Sequence, residues 1–152
     1  MADYTATVQW QRGDARFTDN RYSRLHSWEF DGGITVPASA SPHVVRAPFS
    51  SAEAVDPEEA FVAALSSCHM LFFLSIAAKR GYVIDSYVDR AVGIMEKNAA
   101  GKVVMTRVTL RPEIAFSGDT LPDAAAIAAV HHEAHEECFL ANSVTTEVVV
   151  EG

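Results

Sequence analysis

The sequence predicts an α+β fold, and three observations support this. A long apolar segment with helical start and stop signals occupies the middle of the chain, at residues 56–81. Segments rich in β-forming residues precede this helix, and two further segments with strand patterns follow it. A second helical pattern comes before a C-terminal strand. The predicted element order is therefore β-β-(β)-α-β-β-α-β, with a long central helix.

The N-terminal third is predicted to consist of strands joined by irregular connections. Residues 3–10 are rich in β-forming side chains and predict an opening strand. Residues 21–30 predict a second strand, ended by the turn signal Asp-Gly-Gly at residues 31–33. Residues 34–56 contain three prolines and many small residues, so they predict a short strand followed by an irregular segment.

The central helix has clear signals at both ends. Asp56 is the expected N-cap, and Pro57 suits the first helical position. Glu58 and Glu59 place negative charge at the positive end of the helix dipole. Gly81 favours the left-handed conformation that ends a helix. These signals predict a helix that begins after Asp56 and ends before Gly81.

One cysteine lies within the apolar stripe of this helix. With about 100° of rotation per residue, several mostly apolar side chains fall within about 60° of Cys68. They are Phe61, Ala64, Leu65, Phe72 and Ser75. We therefore expect Cys68 to face inward, in the middle of the stripe.

After the central helix, the sequence predicts two strands, a second helix and a closing strand. Residues 86–97 and 104–111 are the two strands, and the second alternates apolar with polar side chains. Residues 98–101, Asn-Ala-Ala-Gly, supply a hairpin turn between them. A helix from about 120 to 138 carries its own apolar stripe, and residues 144–150 form the last strand.

The composition predicts one globular domain, residues 1–152. Apolar residues make up 49% of the chain and charged residues 21%, so a sizeable core is expected. The net charge of −8 argues against nucleic acid and anionic membranes as partners, because both favour clustered Lys and Arg. Residues 61–78 are apolar but interrupted by serines and a histidine, which predicts a core helix rather than a membrane span. The sequence shows no secretory leader, and a cytoplasmic location is expected.

The chain has two cysteines, Cys68 and Cys138, each on the apolar stripe of a predicted helix. Two are too few for a disulfide scaffold, so each is either a packing group or chemically active. If the two helices pack together, the sulfurs could approach disulfide distance. A peroxidatic cysteine needs a thiolate, hence a positive neighbour, and a resolving thiol that prevents irreversible oxidation.

Two motifs resemble those of the OsmC/Ohr family. Residues 56–70, Asp-Pro-Glu-Glu-Ala-Phe-Val-Ala-Ala-Leu-Ser-Ser-Cys-His-Met, resemble its signature helix, an Asn/Asp-Pro-Glu start with a Cys ten residues after the first Glu. Residues 137–143, Glu-Cys-Phe-Leu-Ala-Asn-Ser, resemble its second motif, Cys-Pro-x-Ser/Asn, without the proline. The predicted element order also matches this family over nearly the whole chain.

The resemblance implies reduction of organic hydroperoxides. Cys68 would attack the peroxide oxygen and become a sulfenic acid, and Cys138 would condense with it to a disulfide. A dithiol, in this family typically dihydrolipoamide on a lipoylated protein, would reduce that disulfide by exchange. The resemblance also implies an intertwined homodimer with active sites at the subunit interface. No metal or other cofactor is expected.

The family also places an Arg–Glu pair beside the reactive cysteine, where the Arg lowers the thiol pKa and the Glu orients the Arg. Glu58 matches the family glutamate, and Glu59 is the alternative. Arg24 fits the family arginine best, with Arg46 and Arg21 as alternatives. An ordinary first-turn acid and solvated surface arginines are the competing interpretations.

The spacing on the central helix bears on how this pair could act. Ten residues of α-helix span about 15 Å, so Glu58 cannot touch the sulfur of its own Cys68. Either a second subunit supplies the glutamate, or the arginine bridges the gap. The spacing therefore favours a dimer.

Other interpretations remain open. His131, His135 and Cys138 share one helix face at i, i+4 and i+7 and could ligate zinc, although a polar helix rim is favoured for the histidines. The same fold could instead bind a hydrophobic ligand without catalysis, with the cysteines lining the pocket. Several apolar side chains would favour a bulky organic peroxide if they line that pocket. They are Phe61, Leu65, Phe72, Phe73 and Phe139.

Overall fold

The structure is a computed structural model that describes residues 1–151, and it confirms the α+β class. By its internal contacts the chain divides into two compact units, Met1–Ala60 and the residues from Phe61 onward. The interpretation of residues 1–152 as a single domain stays a prediction.

The first unit contains a three-stranded antiparallel sheet in the order β1-β2-β3. Its strands are β1 (Thr7–Gln9), β2 (His26–Glu29) and β3 (Thr35–Ala38). The turn predicted at residues 31–33 is confirmed, because Phe30 N–H donates to Ile34 O at 3.0 Å. The first two strands are shorter than predicted because a loop lies between them, in which the indole N–H of Trp10 donates to Ser23 O at 2.8 Å.

The central helix α1 (Pro57–Lys79) begins with a capping box. Glu59 N–H donates to Asp56 Oδ1 at 2.8 Å, and Asp56 N–H donates to Glu59 Oε1 at 3.0 Å. The predicted N-cap is thereby confirmed. Gly81 has a φ of 84°, in the left-handed region, and follows the end of the helix as predicted.

The second unit adds five strands, a second α-helix and a short 3₁₀ helix. In chain order these elements are β4 (Val83–Asp89), β5 (Val92–Lys97), β6 (Val103–Leu110), β7 (Pro112–Ser117), α2 (Ala124–Glu137), the 3₁₀ helix (Ala141–Ser143) and β8 (Glu147–Val150). The strands β4 and β7 form an antiparallel pair. The other sheet has the order β5-β6-β8, with β5 antiparallel and β8 parallel to β6.

Two of these strands are additional to the predicted order. The single strand expected at residues 86–97 is divided between β4 and β5, which pair with different partners. Asp89 fixes the corner, because its carboxylate accepts hydrogen bonds from Arg111 N–H at 2.6 Å and from the Ser66 hydroxyl. The strand β7 was not expected; Pro112 opens it and has no N–H with which to continue the ladder of β6.

Two buried clusters hold the second unit together. The first joins the C-terminal half of α1 to α2, and its members are Phe73, Ile76, Ala77, Val130 and Ala134. The second joins the first half of α1 to β6 through Leu65, Val108 and Leu110. The helix α1 is therefore anchored on one side along most of its length.

The opposite side of α1 is largely uncovered. Its most apolar 18-residue window has a mean hydropathy of 1.9, so by length and composition α1 could cross a membrane, a test that core helices of soluble proteins also pass. Within the single chain only 28% of that window is buried. An apolar face of α1 therefore remains available for further contact.

Gly93 on β5 lies where that strand passes close to α1. A Cβ at this position would lie 2.6 Å from Val62 Cγ2 and 2.6 Å from Met105 Sδ. The strand or the branched Val62 would have to move, so we expect Gly93→Ala to lower the free energy of unfolding by about 1–3 kcal/mol. Urea denaturation measures this change. Gly32→Ala is the control, because its Cβ would meet nothing within 4 Å; equal losses in both variants would contradict the steric explanation.

Candidate thiol site

The first candidate residue, Cys68, lies at the edge of the buried stripe of α1. The stripe consists of Leu65, His69, Phe73, Ile76 and Ala77. Cys68 itself is half-buried and carries a free thiol. The expectation that Cys68 occupies the middle of the stripe is therefore wrong, because the face of α1 that packs into the unit centres on His69. This position leaves the sulfur of Cys68 accessible.

Cys68 opens into an apolar cleft of about 500 Å³, a size suited to a small organic ligand. The cleft is lined by Ala64, Ser67, Cys68, Leu71, Phe72, Ser75, Phe139 and Leu140. Two of its walls are themselves exposed, Leu71 by 60% and Phe139 by 72%. Of the aromatic residues expected at a pocket, Phe72 and Phe139 line the cleft, whereas Phe73 belongs to the buried core.

The second candidate, Cys138, is the buried C-cap of α2, and it lies close enough to Cys68 for that thiol to affect its pKa. The pKa of the Cys138 thiol is raised, first by burial and then by the neighbouring Cys68 thiol, and backbone N–H groups oppose the shift. One of them is Ala141 N–H, which lies 3.5 Å from Cys138 Sγ. The helices α1 and α2 thus bring the two thiols together, with the Cys138 thiol held in its protonated form.

The turn after Cys138 forms without the proline of the family motif. Asn142 N–H donates to Cys138 O at 3.1 Å, and Asn142 Nδ2 donates to Glu136 O at 2.9 Å. The Ser143 hydroxyl donates to Phe139 O at 2.7 Å. These hydrogen bonds hold the segment that carries the second sulfur.

His69 and His131 form a buried contact between α1 and α2. Nε2 of His69 lies 2.9 Å from Nδ1 of His131, and the two ring planes differ by 12° with centroids 5.2 Å apart. His131 is only 8% exposed, so its interpretation as part of a polar rim is wrong. Within residues 1–151 no three His, Cys, Asp or Glu side chains are arranged to hold a metal ion. The zinc alternative at His131, His135 and Cys138 is therefore not supported, because His69 already engages His131.

The buried pair makes stability depend on pH. Burial, followed by the charges of His131 and His135, lowers the pKa of His69 from 6.5 to about 4, although Asp89 opposes the shift. The unfolded chain therefore binds the proton at higher pH than the folded chain. The stability contributed by neutral His69 is complete above pH 6.5 and is lost as the pH falls towards 4.

We expect the free energy of unfolding to decrease across this pH window, as measured by urea denaturation at a series of pH values. His69→Gln keeps a polar side chain without a titrating group, and its stability should decrease less over the same window. Equal pH slopes in the wild type and this variant would contradict the assignment to His69.

The predicted arginine, Arg24, lies in the first unit and is held by its own loop. Its Nη1 donates to Asn20 O at 3.0 Å and to Tyr22 O, and its Nη2 donates to Asn20 Oδ1 at 2.7 Å. The guanidinium also stacks on Tyr22, 3.7 Å from the ring centroid. Asn20 reaches these positions with a φ of 63°. The Nε–H and the second Nη2–H, on one edge of the guanidinium, have no hydrogen-bond partner in the described chain.

Arg24 also borders an apolar cavity of about 470 Å³ within the first unit. The cavity is lined by Val8, Trp10, Phe17, Tyr22, Arg24, His26, Ser39, Ala40 and Pro57. The alternatives Arg21 and Arg46 are exposed, whereas Arg24 is half-buried. Arg24 is therefore both half-buried and placed at the edge of a pocket.

The two glutamates at the start of α1 have different surroundings. Glu59 is engaged in the capping box. Glu58 has a buried Oε2 for which residues 1–151 provide no hydrogen-bond partner. The ion pairs described for those residues do not join Arg24 to any carboxylate. The Arg–Glu contact that the resemblance implies is thus not made by Arg24 and Glu58 within this part of the single chain.

A family model of OsmC-like proteins matches residues 50–151. The chain belongs to the OsmC-like family. An OsmC-like protein of unknown function from Vibrio cholerae is 60% identical to it, with 99% of each chain covered and a TM-score of 0.97. No match was found among curated proteins.

More distant solved structures share the fold of this OsmC-like chain. The organic hydroperoxide resistance protein OhrB of Bacillus subtilis is 17% identical, with a TM-score of 0.70 over 99% of this chain and 97% of its own. An organic hydroperoxide resistance protein of Legionella pneumophila is 18% identical, with a TM-score of 0.68 over 99% of this chain and 96% of its own. At these identities the likeness concerns the fold alone.

Sequence reasoning about this OsmC-like chain missed the pairing of His69 with His131. A signal for burial was present, because His69 lies four residues from both Leu65 and Phe73 and so shares their helix face. Its partner on α2 is 62 positions away, and only the packing of the two helices brings them together.

Proposed function

We propose that this chain is a thiol peroxidase that reduces organic hydroperoxides to alcohols. The observation that carries the proposal is the proximity of two free thiols, of which Cys68 opens into an apolar cleft and Cys138 lies buried nearby. Cys68 can contact a substrate in the cleft, and Cys138 is near enough to react with Cys68 afterwards. Two relatives in fold are named organic hydroperoxide resistance proteins, which agrees with this proposal.

The proposed reaction has two steps at sulfur. The Cys68 thiolate attacks the terminal oxygen of the hydroperoxide, a sulfur–oxygen bond forms, the oxygen–oxygen bond breaks, and the alkoxide takes a proton to leave as the alcohol. Cys68 is thereby oxidised to a sulfenic acid. The Cys138 sulfur then attacks the sulfur of the sulfenic acid and forms the disulfide, while its proton passes to the departing hydroxide, which leaves as water. Because burial raises the pKa of Cys138, its thiol carries that proton until this second step.

A dithiol completes the proposed cycle. It transfers two electrons by thiol–disulfide exchange through a mixed disulfide, which regenerates both protein thiols and leaves the reductant as a disulfide. We propose dihydrolipoamide, carried on a lipoylated protein, as this reductant. Phe139, the residue after Cys138, is 72% exposed, so the segment that carries the resolving sulfur lies at the surface.

The cleft favours an organic peroxide over hydrogen peroxide. Its walls, including Leu71, Phe72 and Phe139, are apolar, and the transfer of apolar substrate surface from water is worth about 25 cal/mol per Å². Hydrogen peroxide has no apolar surface to bury. A substrate with an alkyl or acyl chain would therefore bind more tightly.

We also propose that the active form is a homodimer. The apolar face of α1 is poorly covered in the single chain, and Leu71 on that face is 60% exposed. Large exposed apolar patches mark interaction surfaces. A second copy would cover this face and narrow the cleft.

Arg24 and Glu58 are proposed to serve the thiolate across the subunit boundary. The free edge of Arg24 could stabilise a thiolate, and the unpaired Oε2 of Glu58 could orient the arginine. Glu58 is about 15 Å along the helix from the Cys68 of its own chain. Each subunit would therefore contribute this pair to the sulfur of the other.

The peroxidase proposal is tested by supplying the reduced protein with dihydrolipoamide and tert-butyl hydroperoxide, a fatty-acid hydroperoxide or hydrogen peroxide. With dihydrolipoamide present, we expect faster consumption of the organic peroxides. Without the reductant, the same peroxides should remove both thiols and leave a Cys68–Cys138 disulfide in peptide mass spectra. No consumption of any peroxide would rule the proposal out. If a fatty acid bound in the cleft without turnover, the hydrophobic-ligand alternative would be preferred.

A subunit-mixing experiment tests the shared site. Cys68→Ser and Glu58→Gln chains are each expected to be inactive alone. After unfolding and refolding together, they should recover about a quarter of wild-type activity, because half of the dimers are mixed and each of these holds one complete site. The control is the Cys68→Ser chain unfolded and refolded alone, which should stay inactive. No recovery in dimers shown to be mixed would contradict the sharing of Glu58.

A further inference from the structure

At the interface between α1 and α2 a buried polar tie, the hydrogen bond between His69 and His131, lies beside an apolar cluster. The buried neighbours Phe73, Ile76, Val130 and Ala134 make contacts without strong directional preference. The hydrogen bond between His69 Nε2 and His131 Nδ1, at 2.9 Å, is directional and joins the two helices at one defined pair of atoms. Such a bond limits both the rotation and the sliding of one helix against the other.

The two histidines of this tie lie close to the two cysteines along their helices. His69 is the residue directly after Cys68 on α1, and His131 is seven residues, about two helical turns, before Cys138 on α2. A shift of either helix that breaks the histidine bond must also change the separation of the sulfurs. Disulfide geometry is strict, since the two Cβ atoms must come within about 4.5 Å.

A few other polar groups lie near the pair. Ser66 on α1 donates to Asp89 at the end of β4, and the Asp89 charge acts on both imidazoles. His69 Nδ1 and His135 Nδ1 are buried and have no partner within residues 1–151. A buried polar group without a partner is destabilising, so the two nitrogens that do meet have a strong preference for each other.

We propose that His69 and His131 are positioning residues that hold Cys68 and Cys138 in the geometry needed for disulfide formation. The proposal rests on the proposed Cys68–Cys138 disulfide, but it needs no peroxide chemistry. One imidazole donates and the other accepts, and the bond between them sets how α1 sits on α2. Neither histidine exchanges a proton with the sulfurs.

The test uses thiol–disulfide equilibrium with glutathione, in which the reduced protein and glutathione disulfide yield the protein disulfide and two glutathione thiols. The equilibrium constant is the effective concentration of the two cysteines for each other, and it falls when they are less well aligned. The amide of Asn reaches the position of a histidine Nδ1, whereas the amide of Gln reaches that of Nε2. His131→Asn can therefore keep the hydrogen bond to His69. His131→Gln loses it, because its amide lies at the position of Nε2 and not at that of Nδ1.

We expect His131→Asn to retain the wild-type effective concentration within a few-fold and His131→Gln to lower it by about tenfold, the effect of one buried hydrogen bond. At His69 the order should be reversed: His69→Gln should retain the wild-type effective concentration, and His69→Asn should lower it. The His69 variants provide the same comparison if one His131 variant does not fold. Val130→Ala is the control, since it weakens the same interface by loss of packing and should leave the equilibrium unchanged.

Three results would overturn the proposal. The first is an equal loss with Asn and Gln at both positions. The second is a loss in Val130→Ala as large as in His131→Gln, because the equilibrium would then follow stability in general. The third is a wild type that forms no Cys68–Cys138 disulfide with glutathione. A wild type that forms this disulfide but consumes no peroxide would instead contradict the proposed function and leave the positioning role standing.

Discussion

Cys68→Ser is expected to abolish hydroperoxide reduction, with a loss of at least about a thousandfold in kcat/KM. The hydroxyl of serine has a far higher pKa than a thiol and does not accept oxygen from a peroxide, so no sulfenic acid equivalent can form. The substitution replaces one atom in a half-buried side chain, and the fold should be retained. The measurement is steady-state consumption of an organic hydroperoxide with dihydrolipoamide.

Cys138→Ser separates the two thiol roles. This variant should still react once with peroxide, because Cys68 keeps its thiol, but it should accumulate sulfenic acid and then the irreversible sulfinic acid. Mass spectrometry after a short and a long exposure distinguishes the two products. If the Cys138→Ser variant turned over at the wild-type rate, Cys138 would not be the resolving thiol. If Cys68→Ser retained activity, Cys68 would not be the reactive one.

Phe73→Ala should have the largest effect on stability, lowering the free energy of unfolding by about 3–5 kcal/mol. The side chain is fully buried between α1 and α2, with its ring centroid 4.3 Å from that of His131 and 5.8 Å from that of Tyr87. Its truncation leaves a cavity in a helix interface that the neighbouring residues cannot fill. Domains are stable by only about 5–15 kcal/mol, so the variant should unfold at much lower urea concentration.

Phe139→Ala is the matched control for this substitution. The same atoms are removed, but the Phe139 ring is 72% exposed in the single chain and meets Phe72 edge-on. We expect a change within about 0.5 kcal/mol at protein concentrations too low for association. Equal losses for the two phenylalanines would mean that the cluster around Phe73 is not the core of the second unit.

The helices could be predicted from sequence because their signals are local. Asp56 and Glu59 cap α1 through hydrogen bonds between residues three apart, and Gly81 ends it through its own backbone conformation. The strand boundary at Asp89 could not be predicted in this way. It depends on hydrogen bonds from Ser66 and Arg111, which lie 23 and 22 residues away along the chain.

For the candidate site, too, the local features could be predicted from sequence and the contacts between distant segments could not. The motif around Cys68 and the second motif at Cys138 identified the two sulfurs, because motif spacing is a property of the chain itself. The face of α1 that is buried is a property of the packing. It centres on His69 rather than Cys68, since α2 and β6 cover that side and leave the cysteine at the edge.

The sequence by itself determined the α+β class, the ends of α1, and Cys68 and Cys138 as the candidate thiols. These follow from residue types at short spacing, where backbone geometry leaves few alternatives. Only the tertiary structure decided that the thiols lie close together and that His69 and His131 join their helices. It also decided that Glu58, and not the capping Glu59, has a buried carboxylate oxygen without a partner in residues 1–151. Each of these features depends on whether residues far apart in the chain contact a given side chain. Local sequence patterns do not carry that information.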